Sequence, residues 1–294
     1  MLGLPMPEII VFLLAVLIHL AAAIVGILQL RAGGRKYKRF LSPLISLAVA
    51  LEAVILIFRA VELKAIPLTG LFESMIVLTI VFGLIYLFFS IAIAQVWFGS
   101  VMAWVILTMI LMAGIVAKPA SEPHEVAATP WAIAHGIAMI LGGASIIFAT
   151  ASAFLSLLGS GKLKRKKIMQ VIGKMPNIEK LERMNLLGVK AGFGLITVGL
   201  ISGLGLAVLT SAALEMNFLD WLTDAKIVLI IAVWVLLGMI LMLRYTIALK
   251  GKTIAYMTMV AFILIMFAIV GTTIFCGTRH DITKDNIEVV EVRS

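Results

Sequence analysis

"WAIAHGIAMILGGASIIFATASAFLSLL", residues 131–158, contains no Asp, Glu, Lys or Arg, and one ionisable side chain, His135. About 20 apolar residues are enough to cross the hydrocarbon of a bilayer as a helix. The run is continuous rather than alternating, so it reads as a helix and not as a barrel strand. Similar runs on either side give eight expected spans, roughly 8–30, 42–62, 74–94, 100–118, 132–158, 187–212, 225–247 and 254–276. The expected fold is all-α: a polytopic membrane helix bundle, one integral membrane domain over residues 1–294.

Composition supports this reading. The chain is 63% hydrophobic and 13% charged, with mean hydropathy +1.17, whereas soluble domains sit near ~45–50% apolar and ~25% charged. The net charge of +9 lies mostly between spans: in "RAGGRKYKRF" (31–40), in residues 159–185 and in "RYTIALKGK" (244–252). Each of these segments joins an odd span to the next even one. The positive-inside rule makes them cytoplasmic and puts both termini outside. It also accounts for the charge without a nucleic-acid partner. Cys276 is the only cysteine, which excludes an internal disulfide, a CxxC pair and a covalent CxxCH haem site. It reads as a small apolar filler at a helix end. The first span lacks a basic segment before it and has a basic cluster after it, so it reads as a retained helix. "IEKLERM" (178–184) reads as a short amphipathic helix on the membrane surface.

Glycines 188, 192, 199 and 203 fall in two GxxxG spacings, which let helix backbones approach closely. Tight internal packing and dimerisation are the two readings. Ionisable residues inside a span cost about 2.5–3.5 kcal/mol each on insertion scales. Lys190 and Arg244 can snorkel from the cytoplasmic ends, and Arg59 is expected to reach outward. His19 and Glu52 are different. His19 lies eleven residues in from Glu8 and Glu52 thirteen in from Arg39, so both reach mid-depth at ~1.5 Å per residue. A hydrogen-bonded pair across the first hairpin is expected, as a structural tie or a functional site. In "AIPLTGLFESM" (65–75), Glu73 reads as an acid favoured in a first helical turn. His124, in "SEPHE", reads as solvated. Trp131 reads as an interfacial anchor. His135 and His280 share one membrane face and one depth. They are either isolated interfacial histidines or two imidazoles on one haem iron, since two alone make a poor zinc site.

Several stretches resemble the CcsA/HemX group of the cytochrome c assembly family. "PLTGLFESM" resembles its external "PLSNLYES"-type motif, and residues 131–158 its W-x3-H span. "MPNIEKLERMNLLGVKAGFGLITVGLISGL" resembles its "LPxLExLDxL…GFxLLTxGxxSG" stretch. "RYTIALKGKTIAYMTMVAFILIMFAIVG…RH" resembles its final span and the histidine beyond. The resemblance runs over roughly residues 50–282. It implies a polytopic protein that handles haem at the outer membrane face, with His135 and His280 as axial ligands. Its tryptophan-rich motif WGxYWxWDPKE is met here by "NFLDWLTDAKI" (217–227). Trp221, Asp224 and Lys226 match; Asn217, Asp220, Thr223, Ala225 and Ile227 do not. Met242 stands where cytochrome-ligating members carry an intramembrane histidine. Glu52 stands where some carry one seven residues before the arginine matching Arg59. These departures resemble the HemX branch, which is implicated in controlling the level of glutamyl-tRNA reductase.

The resemblance thus implies a multi-pass protein of a bacterial cytoplasmic membrane that carries non-covalent haem b for cytochrome c assembly. It would be an assembly factor rather than a stand-alone ligase. His135 and His280 would ligate the iron, Trp131 and Trp221 would pack the macrocycle, and Asp224 and Lys226 would shape the pocket. Implied partners are haem, an apocytochrome c, a second assembly subunit and the lipid bilayer. Two other readings are a HemX-type regulator of haem synthesis acting through residues 159–185, and a proton- or ion-coupled transporter using His19 and Glu52.

Overall fold

The computed structural model describes residues 4–32, 38–64, 70–93, 95–116, 129–164, 176–214, 223–247 and 250–272. Among them are eight helices, each long and apolar enough to cross a membrane, and no strand. They are α1 (Met6–Ala32), α2 (Lys38–Leu63), α3 (Leu71–Ala92), α4 (Val96–Val116), α5 (Pro130–Lys164), α6 (Ile178–Leu214), α7 (Ala225–Thr246) and α8 (Gly251–Met266). α8 runs on into a π-helical turn, Phe267–Gly271. Successive helices run antiparallel. Arg31, Arg39, Lys162, Lys164, Arg244 and Lys252 therefore gather at one end of the bundle, called here the basic end.

α1–α4 form one group and α5–α8 another. Near the non-basic end of the first group, Phe12 of α1 packs on Phe72 of α3 at 5.6 Å between ring centroids. Toward the basic end, Ser100 Oγ of α4 donates to the Gly26 carbonyl of α1 at 2.7 Å. In the second group, Phe193 of α6 stacks on Trp234 of α7 at 5.5 Å, and the Trp234 indole N–H donates to Thr197 Oγ1 at 2.8 Å. α5 joins the groups: Phe148 stacks on Phe89 of α3 at 4.7 Å, and the Lys162 ammonium lies 4.0 Å from the Trp97 ring of α4. Large apolar side chains such as Leu17, Phe88, Ile91 and Ile115 point outward from the bundle. Lipid gives them an apolar partner, and the helices satisfy their own backbones.

The GxxxG glycines make an internal interface. A Cβ on Gly188 would stand 2.7 Å from the Ser145 carbonyl oxygen and 2.8 Å from Ala149 Cβ of α5. Gly192 meets Ile146, and Gly199 meets Met139. α5 and α6 thus lie together along most of their length, as small residues four apart allow.

One expected element is different. Residues 178–184 do not form a separate surface helix; they are the first two turns of α6. Leu181, Met184 and Asn185 are buried and continue the stripe that Gly188, Val189, Gly192 and Ile196 extend down the same helix. Helical spacing carries that apolar face past the charged residues, so packing against the bundle wins over the membrane surface.

Candidate functional site

At the non-basic end, the first turns of α5 face the last turns of α6. His135, one turn beyond Trp131, is half-buried, with its Nδ1 2.8 Å from the Gly199 carbonyl oxygen. A carbonyl only accepts, so Nδ1 carries the proton and donates. In the neutral ring this places the lone pair on Nε2, the state in which imidazole binds a metal. A Cβ on Gly203 would stand 2.9 Å from His135 Nδ1 and 3.0 Å from Cε1. A Cβ on Gly205 would stand 2.7 Å from Trp131 Cε3. Two glycines of α6 therefore make the space that these two rings occupy.

α7 begins at the same end. Asp224 is its N-cap, with Oδ1 accepting from the Lys226 N–H at 2.9 Å. Capping of this kind satisfies one of the orphan donors of a first turn. The Lys226 ammonium lies close enough for its charge to act on His135. The structure thus gathers His135, Trp131, Asp224 and Lys226 at one end of the bundle. His280 and Trp221 lie outside the described residues, as do His124 and Cys276. Met242, where an intramembrane histidine would stand, is 60% exposed on the perimeter of α7.

A second cluster occupies the same end of the first helix group. Arg59 does not reach outward; it is 3% exposed and held among carboxylates. Its Nε donates to Glu73 Oε1 at 2.8 Å, and its Nη1 to Glu62 Oε2 at 2.6 Å. Glu8 Oε2 lies 3.7 Å from the same Nη1. Glu73 lies in the first turn of α3, as expected, and its fully buried carboxylate also pairs with Arg59. An ion pair offsets the cost of burying either charge, which reaching for water would otherwise have to do. The sequence signal was four charged residues at the ends of three helices that share one side of the membrane.

Deeper in the same group, His19 Nε2 lies 2.9 Å from Glu52 Oε1. Both residues are buried, at 1% and 0% exposure. Near the basic end of the second group is a cavity of about 270 Å³, lined by Ser156, Glu182, Asn185, Arg244 and Gly251 among others. A Cβ on Gly251 would fall on the Glu182 carboxylate, so that acid sits at the N-terminus of α8, where the helix dipole favours it. Among the described residues, no group of three or more His, Cys, Asp or Glu is placed to hold a metal ion.

A family model described as "Cytochrome C assembly protein" matches residues 68–278. The matched segment takes in α3 to α8 and is well over half of the chain. No curated protein matches it.

Proposed function

The chain belongs to the Cytochrome C assembly protein family, and on that premise we propose that it handles haem during cytochrome c assembly, with His135 as one axial ligand. The observation that carries this reading is the hydrogen bond from His135 Nδ1–H to the Gly199 carbonyl at 2.8 Å. Metal-binding histidines ordinarily donate their other ring N–H to such a partner, which fixes the tautomer and the ring orientation. An imidazole held this way fits the ligand set of a haem iron.

His280 would be the second axial ligand. Trp131, at 44% exposure, offers an aromatic face to the edge of a porphyrin. Lys226 would supply positive charge for the propionates, and Asp224 caps the start of α7. Bound haem b would supply redox chemistry at a site whose potential follows axial ligation and burial. The protein's own residues bind, orient and shield; thioether formation belongs to the apocytochrome's cysteines and a second assembly subunit. With the basic end cytoplasmic, this site faces the outside of a bacterial cytoplasmic membrane.

The test is an absorption spectrum of the purified protein, oxidised and reduced, for wild type, His135→Ala and His280→Ala. A bis-imidazole Soret band lost in both variants supports the reading. A colourless wild type produced with ample haem refutes it.

The altered segment 217–227, with Trp221, Asp224 and Lys226 retained, favours a second reading as a HemX-type regulator of haem synthesis. Deleting residues 165–175 separates the two. A regulator acting through that segment loses its effect on glutamyl-tRNA reductase, whereas the haem spectrum of an external carrier is kept.

A further inference from the structure

We propose that the α1–α2 interface is a proton-binding site, in which His19 and Glu52 hold one exchangeable proton at mid-membrane. The contact is direct: His19 Nε2 to Glu52 Oε1 at 2.9 Å, with both residues buried. The second carboxylate oxygen, Glu52 Oε2, is buried and has no hydrogen-bond partner among the described residues. A permanently ionised carboxylate there would leave that oxygen desolvated and unpaired, which hydrocarbon penalises heavily. The pair is neutral only while it carries the proton, and the unpaired Oε2 assigns that proton to the carboxyl, as carboxylic acid beside neutral imidazole. Losing it leaves one negative charge in hydrocarbon, and regaining it restores neutrality. Such a group is a reversible site for a single proton rather than a fixed salt bridge.

No other ionisable side chain lies at that depth on the packed helices. α1 otherwise carries Glu8 and Arg31 near its ends, and α2 carries Lys38, Arg39, Arg59 and Glu62 near its own. α3 carries Glu73 in the Arg59 cluster and Tyr86 toward the basic end, and α4 carries none. The nearest charged group on the same face of α2 is Arg59, seven residues away, two turns or ~10 Å along the helix. Buried apolar side chains, Phe12 and Ala15 of α1 and Ile55 of α2, occupy the depth between them.

α1 and α2 precede the family-matched segment, and the tests of this site need no haem. The full-length protein in lipid vesicles is titrated while its infrared spectrum is followed. The expected result is a protonated-carboxyl C=O band that titrates, is lost in Glu52→Gln and is shifted in His19→Asn. Glu8→Gln should keep the band. A second measurement uses wild type alone. Dicyclohexylcarbodiimide, which reacts with protonated carboxyls in apolar surroundings, should label the Glu52 peptide by mass spectrometry, less as pH rises. A wild type without the band, or a Glu52 peptide unlabelled at every pH, overturns the site.

Discussion

Replacing Gly203 by alanine tests whether α6 holds His135 for metal binding. The new Cβ would lie 2.9 Å from Nδ1 and 3.0 Å from Cε1 of the imidazole. Unstrained contacts between such atoms sit near ~3.5–4.0 Å, so the ring must retreat by roughly 0.5–1 Å. The same Nδ1 makes the 2.8 Å bond to Gly199, which has no slack for that displacement. A lost hydrogen bond of this kind is worth about 0.5–1.5 kcal/mol net. Changes to the outer partners of metal-bound histidines typically cost about 10–100-fold in affinity. Haem binding to Gly203→Ala should therefore weaken by about tenfold, equivalent to ~1.4 kcal/mol. The assay is a haem titration of detergent-solubilised apoprotein followed at the Soret band. Gly194→Ala is the control: the same helix and substitution, with nothing within 4 Å of the new Cβ. Equal haem affinity in the two variants, both folded, would sink the argument that α6 positions the ligand.

Three further substitutions probe the parts that support the site. Gly188→Ala drives a Cβ to 2.7 Å from the Ser145 carbonyl oxygen; overpacking of this kind costs about 1–3 kcal/mol, read as a lower melting temperature in detergent, whereas Gly136→Ala, with nothing nearby, should not lower it. Arg59→Ala leaves Glu73 buried without this partner and should cost about 3–5 kcal/mol, seen as a collapse of folded yield, with Arg59→Lys only a partial rescue because an ammonium cannot reproduce the guanidinium fork. Asp224→Ala removes the acceptor for the Lys226 N–H and should cost about 0.5–2 kcal/mol, while Asp224→Asn retains most of it; equal melting temperatures for the two variants would count against the cap.

The spans were legible because bilayer thickness sets a length that apolar runs either meet or miss. Each expected segment overlaps one helix among the described residues, and the largest shift of a start is nine residues, at α6. There the charges of "IEKLERM" masked a buried stripe that only the continuing helix reveals. Arg59 departs from its expectation for a related reason. Snorkelling is a local rule, whereas the contact of Arg59 with Glu73, which does stand in the first turn of α3, depends on how α2 and α3 are set against each other. Residue counting could put His19 and Glu52 at one depth, but not give the rotation that turns each toward the other. His135 shows the same limit: its position one turn past Trp131 is readable, whereas the Gly199 carbonyl it meets lies 64 residues away.

The family-matched segment begins at residue 68, yet the physical unit does not. Glu73 lies inside that segment, is fully buried, and pairs with Arg59, which lies outside it. Phe72, also inside, packs on Phe12 from α1. The Ser100 hydroxyl of α4 donates to the Gly26 carbonyl at the other end of the same hairpin. Removing α1 and α2 would strand a buried carboxylate and expose an apolar face to nothing that matches it, and a stranded buried charge alone costs about 3–5 kcal/mol. The first hairpin is therefore tied to the family scaffold at both ends.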